Sequence, residues 1–193
     1  MDARTDNPSR AQSPTTTITD LPLKPGRWVL DKGHARVGFA VRQLGLTKVR
    51  GHFRDLEAEL VVGPSPEDTA VTASVALASI DTALAVRDAN VRGRELLDVE
   101  RRPTVTFRST GIHGSGEDWT LDGDLTVGDV TAPVSLAVQL AGVAEAFDGS
   151  RHAGFEARGE LHRRDFGLSL GPLDPAIGQV VELQLDLEFV EPA

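Results

Sequence analysis

The sequence predicts an all-β domain of about eight antiparallel strands that close on themselves, and three observations lead there. From Trp28 onward apolar and polar residues alternate in segment after segment, helix-period patterning is almost absent, and turn-forming clusters separate the segments. A strand with one apolar and one polar face belongs to an antiparallel sheet that is wet on one side.

The first of these segments, GHARVGFAVRQLGLTKVRGHF (33–53), opens with Ala35, Val37, Phe39 and Val41 on one face and Arg36 and Arg42 on the other. LEAELVV (56–62) sets Leu56, Ala58, Leu60 and Val62 against Glu57 and Glu59. VTASVAL (71–77), TVTFRST (104–110), VSLAVQL (134–140) and HAGFEARGELH (152–162) read the same way. WTLDGDLTV (119–127) opposes Trp119, Leu121, Leu125 and Val127 to Thr120, Asp122, Asp124 and Thr126. In VELQLDLEF (181–189), Val181, Leu183, Leu185, Leu187 and Phe189 all face away from Glu182, Gln184, Asp186 and Glu188. Turns are expected at GPSPED (63–68), HGSGED (113–118), VGDVTAP (127–133) and FDGS (147–150).

One region, SIDTALAVRDANVRGRELLDVERRP (79–103), breaks the alternation. Its Arg, Asp, Glu, Leu and Ala content predicts a helix or two short ones, although Gly93 costs about 1 kcal/mol in a helix interior. Pro103 restarts extended structure.

Eight one-sided strands bury their apolar faces either as a sandwich or as a barrel, and long strands favour closure because it removes exposed edges. A barrel of about eight strands is either filled by side chains or holds one small ligand. The faces opposite the wet ones carry Ala35, Ala58, Ala73, Ala137 and Ala153, and the whole chain has 7 Phe, 2 Trp and no Tyr, so bulky filling is thin.

Composition narrows the function. The 193 residues suit one domain, and 40 % hydrophobic with 25 % charged residues suits a soluble globular chain. The net charge of −9 has the wrong sign for a nucleic-acid partner. The absence of cysteine excludes thiolate catalysis and Cys-ligated metals. No run approaches the roughly 20 apolar residues of a transmembrane segment, and the N-terminus lacks a signal peptide, so the cytoplasm is the expected compartment. Residues 1–26, rich in Thr, Ser and Pro and neutral overall, are expected to form a disordered arm ahead of one barrel domain over 27–193.

The order WVLDKGHARVGFAVRQLGLTKVRGHF, SIDT with RDANVRG, RPTVTFRST, LDGDLTVGDVTAPVSL, and AGFEARGEL with RRDFGL resembles the YceI-like polyisoprenoid-binding family from about Trp28 to Phe189. The resemblance implies an eight-stranded antiparallel lipocalin-like β-barrel with a short helical segment near one end. It implies a lumen that binds a long isoprenoid or another amphiphile such as a fatty-acyl compound, with no cofactor and no family-wide catalytic mechanism. Several members of the family are induced by osmotic or acid–base stress. This chain departs from the pattern at Ala35, where the family usually carries serine, and at Asn90, where it carries histidine.

On this reading the lumen walls are Val37, Phe39, Val41, Val75, Leu77, Phe107, Leu136, Val138, Phe155, Leu183 and Leu185. The other reading of each is a residue that fills the core. His34, at the family's histidine position, is a polar contact near one barrel end or, as favoured here, a hydrogen-bonded residue that fixes the strand start. Arg87, Asp88 and Asn90 are candidates to meet a phosphate or carboxylate head group at the mouth, through the planar donor fork of the arginine. The competing reading is an Arg87–Asp88 pair that pins the helical segment. Arg42 and Arg50, flanking LGLTKV, are further head-group candidates. The five histidines lie on separate segments without HxH or HExxH spacing, so no metal site is predicted. No serine stands in a nucleophile elbow and no Gly-rich loop cradles phosphate, so no catalytic residue is assigned. A lumen enzyme acting on an amphiphile and a filled barrel serving as an interaction module remain the alternatives, and a homodimer is compatible with the sequence.

Overall fold

The computed structural model describes residues 22–169 and 171–191. Its strands are β1 (Gly26–Leu30), β2 (Arg36–Gln43), β3 (Thr47–Phe53), β4 (Leu56–Val62), β5 (Ala70–Ala76), β6 (Ile80–Asp81), β7 (Thr104–Ser115), β8 (Asp118–Val127), β9 (Val130–Glu145), β10 (Arg151–His162) and β11 (Ile177–Val190). One helix, α1 (Ala85–Arg92), falls between β6 and β7. All pairings are antiparallel, and β1 meets β11 to close the ring β1-β4-β5-β7-β8-β9-β10-β11.

Eleven segments make eight barrel strands because three strands are interrupted midway. β1 and β2 follow one another along the same edge of β11, with Leu30 opposite Phe189 and Val37 opposite Leu185. Between them Lys32–His34 form a 3-10 turn that Asp31 opens by accepting from Gly33 N at 2.8 Å. β3 and β4 run back along β2 and β1, and β5 and β6 do the same along β4 and β3. The alternation predicted eight strands, but it did not include 26–30 as strand, and it read 33–53 as one segment where a turn at residues 44–46 separates β2 from β3.

The expected turns fall where predicted, but two are shorter, and HGSGED contracts to Gly116 and Glu117 between β7 and β8. Gly116 and Gly128 take φ of 63° and 61°, the left-handed backbone that tight hairpins need and glycine supplies freely. VGDVTAP contracts to a turn at Gly128 and Asp129, and β9 already includes Pro133. Pro133 has no N–H to donate and is tolerated because β10 pairs with β9 only from Leu136 onward. Two bulges, at Thr110 in β7 and Ala141 in β9, shift the phase so that Ile112 and Val143 still face inward.

The strand directions define two ends. The start of β1, the β4–β5 loop and the β7–β8 and β9–β10 turns share one. There Trp28, Leu30, Leu60, Val62, Ala153 and Phe189 pack tightly with Leu23, and Trp28 donates through Nε1 to Lys24 O at 2.9 Å. Residues 22–26 of the expected arm are ordered. Leu23 is only 7 % exposed and belongs to the core, while residues 1–21 lie outside the described residues.

The β2–β3 hairpin, α1 and the β8–β9 turn share the other end. α1 is tied to the sheet by Asp88, which accepts from Thr82 N at 3.0 Å and Thr82 Oγ1 at 2.5 Å, and by Arg92, which donates to Ile80 O at 2.7 Å. Gly93 sits after the last helical residue as its C-cap, so the expected interior cost does not arise. Behind α1, Leu97 and Phe166 cover the barrel, and Arg163, 3 % exposed, donates to Gly178 O, Leu168 O, Asp174 Oδ1 and Ile177 O. A buried guanidinium is tolerated because its donors are occupied. Among the described residues no helix is long and apolar enough to cross a membrane.

Candidate functional site

The inward faces of the strands do not meet. They enclose a cavity of about 440 Å³, within the 300–1,000 Å³ range of small-molecule sites. Its wall is almost entirely carbon, and the polar exceptions are Gln43, Thr69, Thr82, Arg87 and Arg163. Thr69 donates to Ser65 O at 3.1 Å, Thr82 is held by Asp88 and Arg87, and Arg163 is engaged as described. A water needs several polar partners to be retained, so a space lined this way favours an apolar guest over water.

Two local arrangements keep the space open. Phe39 faces Gly51 across the β2–β3 pair, and a Cβ at Gly51 would lie 2.5 Å from Phe39 Cζ. In the same way a Cβ at Gly123 would lie 2.3 Å from Phe107 Cζ. Both rings thus lie on bare backbone instead of standing out across the cavity. Beside Phe107, its register partner Ala73 on β5 pairs in turn with Ala58 on β4, a stretch of wall with almost no side-chain depth.

All eleven residues predicted for the lumen line this cavity: Val37, Phe39, Val41, Val75, Leu77, Phe107, Leu136, Val138, Phe155, Leu183 and Leu185. Phe39 packs against Phe53 with centroids 5.5 Å apart, and Phe155 meets Phe189 edge-on at 6.0 Å. The five alanines do not behave alike. Ala58 and Ala73 line the wall and Ala153 is wholly buried, but Ala137 is exposed on the outer face, because Leu136, Val138 and Leu140 occupy the inner one. Wall residues not singled out from the sequence include Leu23, Val91 and Leu96, contributed by segments without strand periodicity, and Gln43.

Of the polar set only Arg87 reaches the wall. Its Nε donates to Thr82 Oγ1 at 2.7 Å and its Nη2 to Thr82 O at 2.6 Å, so Arg87 and Asp88 converge on Thr82 and not on each other. Asp88 is buried against Thr82, while Asn90 is exposed on α1 and Arg42 on the outer face of β2, none of them on the wall.

His34 is also off the wall, in a cluster on the outer surface. Its Nδ1 lies 2.9 Å from Asp31 Oδ2, and Asp31, His34 and Glu188 present ligand-type atoms within 4.8 Å of one another, a set that the sequence spacing did not disclose. His152 Nδ1 sits 2.6 Å from Glu188 Oε1. The Asp31 hydrogen bond raises the His34 pKa above its ordinary 6.5, and His34 together with Gly33 N holds the Asp31 carboxyl below 3.8. These contacts link the β1–β2 corner to Glu188 of β11.

Gln43 alone among the described wall residues is exposed, so the cavity reaches the surface beside the β2–β3 hairpin.

Comparison with known proteins agrees with this architecture. The model of the YceI-like domain matches residues 28–189. Protein YceI of Salmonella arizonae is 34 % identical over 161 residues, covering 82 % of each chain. A UPF0312 protein of Azotobacter vinelandii is 33 % identical over 163 residues, covering 81 % of this chain and 85 % of that one. Among solved structures, BcnA of Burkholderia cenocepacia superposes with a TM-score of 0.72 at 20 % identity, over 82 % of this chain and 98 % of its own. A domain from Saccharophagus degradans described as polyisoprenoid-binding gives 0.65 at 16 % identity, over 86 % and 98 %. A barrel with this closure, matched by the family model over nearly all of its described length, makes the chain a member of the YceI-like family.

Proposed function

We propose that the protein binds one long-chain isoprenoid, or a similar amphiphilic lipid, inside the barrel and carries or stores it without chemical change. The observation that supports this most directly is the 440 Å³ cavity, whose wall has almost no polar group without a partner of its own. Each buried CH₂ contributes about 0.8 kcal/mol, so about ten ordered methylenes outweigh several kcal/mol of association cost. Such a wall offers a tail length and shape but no polar pattern, and no nucleophile and base converge in it. The polyisoprenoid-binding description of the Saccharophagus degradans domain points the same way.

Arg87 is the residue suited to an anionic head group, since it stands at the wall near the hairpin end with Nε and Nη2 engaged and Nη1 outside those bonds. The test is native mass spectrometry of the purified chain with identification of extracted ligand, followed by titration with polyprenols of increasing length. A bound lipid and affinity that grows with length are expected. A protein that carries no lipid and takes none up in titration refutes the proposal.

A further inference from the structure

The apolar residues left in solvent are unevenly placed. Of the large hydrophobic residues that are exposed, Leu44, Leu46, Leu84, Val86 and Val130 stand at the hairpin end, against Val29, Val61 and Phe147 elsewhere. The strand directions place them together. β6 runs antiparallel to β3, so the chain leaving Asp81 for Leu84 and Val86 travels toward the level of the β2–β3 tip, and Val130 follows the β8–β9 turn at the same end.

Leu44 and Leu46 are the extreme case, 64 % and 78 % exposed on either side of Gly45. Leu44 has φ of 53° and Gly45 φ of 70°, and Leu46 N donates to Gln43 O at 3.0 Å. A tight turn of this kind normally takes Asn or Gly at its left-handed positions, and a leucine there is strained and gains no burial from the fold. The neighbouring residue is Gln43, the exposed wall residue that marks the cavity opening.

Charge completes the pattern. Residues 42–50 hold Arg42, Lys48 and Arg50 and no acid, whereas residues 82–103 balance five arginines against four acids, and the chain as a whole carries −9. Lys48 pairs with Glu182 at 2.6 Å, and Arg42 and Arg50 act on the same carboxylate through space without a described ion pair of their own. Two leucines at a tip and a collar of cations just behind them match the depth profile of an anionic bilayer, with apolar side chains below the head groups and cations at the phosphate level.

We propose that the β2–β3 hairpin is a membrane-docking tip that seats this end of the barrel on an anionic lipid surface and brings the cavity opening to the bilayer. The bilayer as donor or acceptor of cargo rests on the carrier reading above, whereas the docking itself does not.

The test is flotation of the full chain with vesicles of phosphatidylcholine alone and of phosphatidylcholine with about one-third phosphatidylglycerol. Association with the anionic vesicles, weakened by salt, is expected, since each cation near such a surface is worth about fivefold in partitioning. L44S/L46S should lose at least tenfold, and R42Q/K48Q/R50Q should lose binding to the anionic vesicles while leaving the weak background on phosphatidylcholine unchanged. Unchanged melting temperatures and circular dichroism confirm that the variants fold, and the single variant L46S serves if the double variant does not. No vesicle association at low salt, or equal association by parent and variants, overturns the proposal. So does a concentration-dependent dimer that L44S/L46S abolishes, because the leucines would then seat a second copy. Extracted lipid separates the two readings. Lipid in the cavity without vesicle docking refutes the tip alone, and docking that depends on the tip with a cavity that never takes lipid refutes the carrier alone.

Discussion

Replacing Ala73 with phenylalanine distinguishes an open lumen from a loosely filled core. Ala73 opposes Ala58 on β4 and Phe107 on β7, and it lines the cavity. A phenyl ring there enters space that no side chain occupies and displaces about six guest methylenes, up to ~5 kcal/mol of binding at about 0.8 kcal/mol each. In a filled core the same ring would strain its neighbours by about 1–3 kcal/mol, several degrees in melting temperature for a chain of this size. The assay pairs thermal melts with polyprenol titrations of stepped length. Near-parent stability with affinity lost most steeply for the longest chains is expected. Ala137→Phe is the control, because Ala137 lies on the outer face and its substitution should move neither quantity. A clear fall in melting temperature with lipid binding intact, or equal loss of binding from Ala137→Phe, would refute the reasoning.

Arg87→Ala should weaken a polyprenyl phosphate by about 1.5–3 kcal/mol and hardly change the neutral alcohol, measured by competition titration. Equal losses would confine Arg87 to holding Thr82. Leu23→Ala should cost roughly 2 kcal/mol in denaturant unfolding, since Leu23 is buried beside Trp28, whereas deletion of residues 1–20 should leave stability and lipid binding unchanged. The Asp31–His34 pair should give a stability contribution confined to one pH window. The raised His34 pKa makes its share present below 6.5 and lost as pH rises through the folded value, and the lowered Asp31 pKa makes its share present above 3.8 and lost as pH falls. The parent should therefore exceed Asp31→Asn in melting temperature most clearly between those values. A difference that is flat across pH would show that Gly33 N and not His34 is the partner that matters.

What the sequence disclosed was which way a strand side chain points. Alternation decides the face directly, so the sequence alone places Phe39, Phe107 and Leu183 on the inner face. It misled at Ala137, because alanine is tolerated on either face and the flanking apolar residues Leu136 and Val138 had already claimed the inner one. It also gave no sign of the bulges at Thr110 and Ala141, which depend on register against a partner strand. The polar candidates fared worse for a related reason. His34, Asp88 and Asn90 lie in segments without a repeating face, where short-range side-chain hydrogen bonds to Asp31 or Thr82, or simple exposure on a helix, set the orientation. Thr82 carried no signal as the shared anchor of Arg87 and Asp88, because a threonine in a loop reads as solvent-exposed.

The two phenylalanines resting on glycine give the barrel an adjustable calibre. At Gly51 and Gly123 even the smallest side chain would collide with the ring above it and with a backbone carbonyl, Asp81 O at 2.9 Å or Arg108 O at 2.7 Å, so both ring and strand would have to shift. Engineered variants with alanine at either position would therefore have an altered bore although no wall residue had changed. Girth selectivity, the choice between a slender polyprenyl tail and a bulkier ring-bearing lipid, would then be written in backbone positions that never touch the guest.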